Sequence, residues 1–201
     1  VEVDSVAFDS GGGGANSSVT FANLGFRAAV VSRIGCDGAG HIIEERLNAR
    51  GVDTRFLSRD KKNKSGYSTI LLAPSGERTA LIYRGASPVF DAKHVPWSKI
   101  NARWFYISSV GGSLPFLRKI FHRAKSVGAK IAWNPGGLEI GVGMGRLEPF
   151  IRRTDYFQLN REEAAKLAKL SPDRLDLLFK KFARLDVPVL IVTDGQRGAY
   201  L

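Results

Sequence analysis

Thiols are almost absent. Cys36 is the one cysteine in 201 residues, so no internal disulfide can form, and three scattered histidines offer no zinc cluster. That scarcity points to a reducing, cytoplasmic compartment. No apolar run approaches the length that spans a bilayer, and the opening Val1 to Phe8 is unlike a signal peptide because it carries Glu2 and Asp4. Acidic residues are the minority, 19 against 30 Lys plus Arg, for a formal charge of +11. Such a balance suits a polyanionic ligand, whether nucleotide phosphate, an acidic partner or nucleic acid. The basic residues are spread out, however, and the one dense cluster, Arg59-Asp60-Lys61-Lys62-Asn63-Lys64, reads as a solvated loop. No nucleic-acid motif accompanies the charge, so nucleic acid is not the expected partner.

Glycine is plentiful, and it gathers in one stretch, Gly11 to Gly40, which opens with four consecutive glycines followed by Ala15-Asn16-Ser17-Ser18. Two familiar glycine motifs are missing from it. A P-loop needs a Lys-Ser/Thr pair, and residues 11 to 18 contain no lysine. The dinucleotide fingerprint needs a third glycine where this chain has Asn16 or Ser17. A flexible linker is excluded too, since strongly structured sequence follows at once. What remains is a floor of bare backbone N–H groups against which a polar or anionic ligand can lie, helped by the dipole of the following helix.

Periodicity predicts α/β structure, and 201 residues suffice for one such domain with a sizeable core. Val1 to Phe8 reads as a weak strand, Asn16 to Leu24 as a short helix, and Ala28 to Val31 as a strand. His41 to Arg50 reads as a helix burying Ile42, Ile43 and Leu47, with Gly51 at its C-terminal cap. Residues 66 to 84 break the rhythm: two apolar runs flank Pro74-Ser75-Gly76-Glu77 and predict an antiparallel hairpin, a lid or a dimer edge inserted at about 65–85. Strands are then predicted at 104–108, 130–133, 155–159 and 189–192, alternating with helices at 114–127, near 146–152, at 161–170 and at 172–185. Each of these strands ends in polar or glycine residues, and such carboxyl ends line the ligand crevice of an open parallel sheet.

Several polar positions carry two chemically sound readings. Asn16 offers a donor and an acceptor to a ligand hydroxyl, or it caps the following helix. Asn160 with Glu163 three residues on is a capping box, or a site for Mg²⁺ and its waters. Asp37 supports the glycine floor or caps the next helix. Asn134 faces phosphates or makes a turn before Pro135, and Thr193-Asp194-Gly195 is a nucleotide-side loop or a plain Asp-Gly turn.

The blocks together resemble the ribokinase-like, or PfkB, carbohydrate kinase family. Gly12-Gly13-Gly14-Ala15-Asn16-Ser17-Ser18, six residues, Gly25, nine residues and Gly35 look like that family's first signature. The fit continues through Asp37 and Gly40, the hairpin, Arg84-Gly85-Ala86-Ser87, Asn134-Pro135, Asn160-Arg161-Glu162-Glu163 and Thr193-Asp194-Gly195. The resemblance implies a three-layer α/β sandwich with a mainly parallel sheet and a small antiparallel β lid, formed by residues 1–201 as a single, incomplete domain. It implies ATP-dependent phosphorylation of a sugar or nucleoside hydroxyl, with Mg²⁺. Gly12, Gly13, Asn16 and Asp37 then fall on the substrate side. Asn134, Asn160, Thr193, Asp194 and Gly195 fall on the nucleotide side, and Glu163 at the metal, through water. The exposed edge of a lid would also invite pairing into a homodimer.

The departures matter as much. Members carry a Gly-Ala-Gly-Asp block toward the C-terminus that supplies the base and the anion hole, and residues 1–201 contain none. The catalytic base is therefore expected beyond Leu201, the C-terminal part of the fold is expected to be missing, and this chain is expected to be inactive alone. The alternative is a non-catalytic relative whose basic surface meets an acidic partner.

Overall fold

The computed structural model describes residues 3–88 and 91–201. The chain divides into two compact units, Val1–Val89 and Phe90–Leu201.

In the first unit, helix α1 (Gly13–Asn23) is followed by strand β1 (Ser32–Gly35), helix α2 (Gly38–Ala49) and strand β2 (Leu57–Asp60), which pairs with β1 in parallel. Val30, Leu47 and Val52 form a small core with Val19, Ala22 and Ile43 against it. Helix α2 ends as its sequence predicts: Gly51, at φ 75°, takes the left-handed turn that releases the chain. Strands β3 (Tyr67–Leu72) and β4 (Arg78–Tyr83) then form the antiparallel hairpin, closed by a turn in which Gly76 adopts φ 85°. All six residues of each strand are exposed.

Three expectations fail in this unit. Residues 3–8 form no strand, and Val3, Val6 and Phe8 are exposed; Val1 and Glu2 lie outside the described residues. The segment is held by Arg46, which donates to the Phe8 carbonyl at 2.6 Å and to Asp9 at 2.9 Å, rather than by a neighbouring strand. The strand expected at Ala28–Val31 begins at Ser32 instead: Ala28 and Val30 bond only Asp53 before the partner chain turns away, and regular pairing resumes at Leu57. Ile42 is 51% exposed, because α2 starts at Gly38 and turns Gly40, Ile43 and Leu47 inward, leaving Ile42 off that face.

The second unit is built around one sheet. Strands β5 (Trp104–Ile107), β6 (Lys130–Trp133), β7 (Tyr156–Asn160) and β8 (Val189–Thr193) are parallel, and a short β9 (Ala199–Tyr200) adds an antiparallel edge, in the order β5-β6-β7-β8-β9. One face of the sheet presents Ile107, Ile131, Trp133, Phe157, Leu159 and Val192 to the core. Helix α3 (Leu114–Ser126) meets that face with Leu117, Phe121 and Ala124, an i, i+4, i+7 stripe. Ser113 caps its first turn, and Arg123 and Lys125 complement the dipole of its last. Helix α4 (Gly137–Val142), absent from the sequence expectation, precedes α5 (Met144–Ile151). Helices α6 (Arg161–Ala168) and α7 (Leu175–Ala183) complete the layer through Ala164, Leu167, Leu178 and Phe182. Among the described residues no helix is long and apolar enough to cross a membrane.

Candidate functional site

The glycine stretch enters α1 earlier than its sequence suggests. Gly12 is the N-cap at φ 93°, ψ 154°, a conformation that a side chain at this position would strain, and Gly13 and Gly14 are already helical. Asn16 therefore lies in the first turn rather than at the cap, its N–H bonded to the Gly12 carbonyl at 2.9 Å. This removes the capping reading for Asn16. Its side chain is exposed and, among the described residues, makes no hydrogen bond. Ser17, Ser18 and Thr20 behave differently, each returning its hydroxyl to a carbonyl three or four residues back. A Cβ added at Gly11 or Gly12 would meet nothing within 4 Å, so internal crowding does not dictate glycine at either position.

Asp37, in the turn after β1, is the N-cap of α2 and accepts from the Gly40 N–H at 2.9 Å. It also accepts from the N–H and the hydroxyl of Ser65, at 2.9 and 2.7 Å. The Ser65 hydroxyl and these amides hold its carboxyl below the ordinary carboxylate range.

In the second unit the predicted residues stand at the carboxyl ends of adjacent strands. Asn134, just after β6, bonds the Ile107 carbonyl through its N–H and the Gln158 carbonyl through Nδ2, at 2.9 and 3.0 Å. Asn160 closes β7 and faces Thr193 of β8 in register. The capping box is formed: Asn160 Oδ1 accepts from the Glu163 N–H at 2.8 Å, and Glu163 Oε2 from the Asn160 N–H at 3.0 Å. Asp194, 4% exposed at its side chain, is gripped by Arg161 at 2.9 Å and Arg197 at 2.8 Å. Those bonds, Arg197 first, hold its carboxyl below the ordinary range. Arg161 also reaches Asp173 and the Pro172 carbonyl, so one guanidinium fixes the loop before α7 and the loop after β8. Gly195 and Gly198 take φ 56° and 90° around that turn.

Glu139 escaped the sequence reading. Fully buried in the first turn of α4, it accepts from the N–H groups of Val110, Gly112 and Gly136 at 2.8, 2.7 and 2.9 Å. It thereby ties the loop after β5 to the loop after β6, where a Cβ on Gly136 would come 2.7 Å from Ser109 Cβ. The signal was available: Gly136-Gly137-Leu138-Glu139 has the spacing of a capping box with glycine at the cap.

A metal can be tested against this donor set. Among the described residues no group of three or more His, Cys, Asp or Glu side chains could hold one directly. Glu163 spends one carboxylate oxygen on its cap, and Oε1 makes no hydrogen bond among the described residues. A single free carboxylate oxygen beside amide and hydroxyl groups suits an ion that keeps most of its waters, as Mg²⁺ does.

The model of the pfkB family carbohydrate kinases matches residues 1–201. Ribokinase of Staphylococcus aureus is 24% identical over 196 residues, covering 94% of this chain and 62% of that protein. A fructokinase of Vibrio cholerae, solved in a fructose-, ADP- and calcium-bound form, superposes with a TM-score of 0.75 at 22% identity, covering 94% of this chain and 64% of that one. A protein described as ribokinase II of E. coli, solved in complex with ATP and Mg²⁺, gives 0.78 at 24% identity, covering 99% and 68%. These likenesses show a ribokinase-like α/β fold, and the chain spans about two thirds of the length of such relatives.

Proposed function

Because this chain belongs to the pfkB family of carbohydrate kinases, we propose that it forms the acceptor-binding side and much of the nucleotide-binding side of a cytoplasmic enzyme that phosphorylates a sugar or nucleoside hydroxyl. The observation that carries the reading is the start of α1. There, among the described residues, the Asn16 side chain makes no hydrogen bond, and a Cβ at Gly11 or Gly12 would meet nothing within 4 Å. A sugar hydroxyl is also donor and acceptor, and Asn16 with the N–H groups of Gly12 and Gly13 would bind and orient it. Asp37 would support the substrate side by fixing the turn before α2, through its bonds to Gly40 and Ser65.

On the nucleotide side, Asn134, Asn160 and Thr193 stand at the carboxyl ends of neighbouring strands, and the Arg161–Asp194–Arg197 cluster sets the turn at Gly195. Glu163 Oε1 would hold Mg²⁺ through water, in keeping with the ATP- and Mg²⁺-bound form of the E. coli relative. When bound, the nucleotide supplies the phosphoryl group and the metal balances its charge. The hairpin would serve as a lid that excludes water, or pair with a second copy along its open edge. Since residues 1–201 contain no Gly-Ala-Gly-Asp block, the 201-residue chain would not turn over by itself.

The test is a thermal-shift panel of ribose, fructose and nucleosides on this chain, with ADP production measured alongside. Asn16→Ala should weaken sugar binding about tenfold and leave the melting temperature unchanged. Unchanged affinity would take Asn16 off the sugar side. Sugar-dependent ADP production by these 201 residues would sink the claim of inactivity.

A further inference from the structure

The β3–β4 hairpin has no buried strand residue, yet both of its ends are fixed. Ser65, 2% exposed, leads into it, and Ala86, fully buried, follows it. The two flanks are stitched together where the Ala86 N–H donates to the Lys64 carbonyl at 2.8 Å. Gly85 passes so close that a Cβ there would lie 2.2 Å from the same carbonyl oxygen. The stitch is joined in turn to α2 through Asp37.

A helix cap requires only the Gly40 bond, but Asp37 makes two more, both to a residue 28 positions away. Oδ1 takes the Gly40 N–H and the Ser65 hydroxyl, and Oδ2 takes the Ser65 N–H. Three of about four acceptor positions on the carboxylate are thus filled from inside the protein. The Ser65 hydroxyl is committed as well, donating to Asp37 and accepting from the Gly35 N–H at 2.9 Å. Glycine is obligatory around this knot. A Cβ on Gly35 would sit 2.5 Å from the Ser65 nitrogen, and one on Gly40 would sit 2.4 Å from the Gly35 carbonyl oxygen.

We propose that Asp37 is a positioning residue: through Ser65 it latches the base of the β3–β4 hairpin to the first turn of α2, and so fixes where the hairpin pivots as a lid. The lid itself belongs to the kinase reading above. The latch is a coupling between α2 and the hairpin, and it is measurable without catalysis.

Hydrogen–deuterium exchange on the 201-residue chain reads it directly, with Asp37→Asn and Ser65→Ala as variants. Asparagine caps a helix about as well as aspartate, so α2 keeps its start. Its Oδ1 can still serve Gly40 and the Ser65 hydroxyl, but its NH₂ group faces the Ser65 N–H, donor against donor. Ser65→Ala removes the other bond of the link, the one from the hydroxyl, together with the acceptor of the Gly35 N–H, and keeps the Gly40 bond of the cap. In both variants amides of residues 66–86 should exchange about tenfold faster, while α2 and strands β5 to β8 keep their rates. Trypsin should cut sooner at Arg78 and Arg84. The double variant should be looser than either single one, since Asp37→Asn removes the bond to the Ser65 N–H and Ser65→Ala the bond to its hydroxyl.

Unchanged hairpin exchange in Ser65→Ala overturns the latch, as does faster exchange confined to the first turn of α2, which would mark a cap and nothing more. If Asp37→Asn unfolds the first unit, Ser65→Ala decides alone, with unchanged α2 exchange as the control for folding. A chain that binds no sugar but releases its hairpin in this way supports the latch and removes only the kinase reading of the lid.

Discussion

Strands β3 and β4 carry Tyr67, Ile70, Leu71, Leu72, Leu81, Ile82 and Tyr83, and all of them are exposed. Strands β5 to β8 are apolar as well, but their Ile107, Ile131, Trp133, Phe157, Leu159 and Val192 are buried among helices. The difference is topological. A tight antiparallel hairpin satisfies its inner hydrogen bonds with itself, whereas each parallel strand is connected through a helix that must pack back on the sheet. The second unit is accordingly held by a large apolar core. Among the described residues the first has a core cluster of three, Val30, Leu47 and Val52, and relies on polar knots, Asp37 with Ser65 and Asp60 with Arg33 and Asn63. An isolated two-stranded hairpin is marginal in water, which gives the knot at its base its importance.

This contrast can be broken in three places. The largest effect is expected in the sheet: Phe157→Ala, which empties a fully buried site between Trp133 and Phe182, should destabilise the second unit by about 3–5 kcal/mol in denaturant titration. A loss below about 1 kcal/mol would mean that the core is not what holds that unit.

Acid should act on the first unit. Asp60 accepts from the Asn63 side chain, from the N–H groups of Asn63 and Lys62, and pairs with Arg33, and its pKa falls from 3.8 to about 2. A carboxylate depressed by folding stabilises the fold above its unfolded value and loses that contribution as pH falls through the folded value. Unfolding of the first unit should therefore show a component between about pH 4 and pH 2. Asp60→Asn should remove that component and lower stability at neutral pH. An acid titration that is the same in both proteins would exclude Asp60 as its source.

The smallest effect is expected on the hairpin surface. Leu71→Lys should change stability by less than about 0.5 kcal/mol, because the side chain is exposed. It should nonetheless reduce any self-association seen by light scattering. A large loss of stability would show that the hairpin face is covered in solution.

The sequence was most legible where periodicity ran unbroken. The strands of the second unit, α3 and the hairpin lie close to their expected bounds, because alternation and helical spacing there coincide with real burial. It was least legible where a partner decides the outcome. Among the described residues Val3 to Phe8 has strand-like alternation but no strand beside it, and Ala28 to Val31 is apolar but pairs only through one bridge. Helix α4 was hidden because Gly137 and Gly141 lower helix propensity, and its compensation, the buried Glu139, acts across two loops. At the candidate site, residue types and strand-end positions were readable in advance, but how each side chain is spent was not. Asn16 is not a cap, Asn160 and Glu163 do form one, and the Asp194 carboxylate is committed to two arginines.

The parallel strands of the second unit stand side by side in the order in which they are synthesised, β5-β6-β7-β8. Each new strand and its helix find their neighbour already laid down, so the sheet can grow one unit at a time behind the ribosome without waiting for a distant segment. Pairing of sequence neighbours keeps contact order lower than in a sheet whose adjacent strands lie far apart in the chain, which lets a parallel sheet, a slow topology in itself, assemble step by step from its N-terminal side.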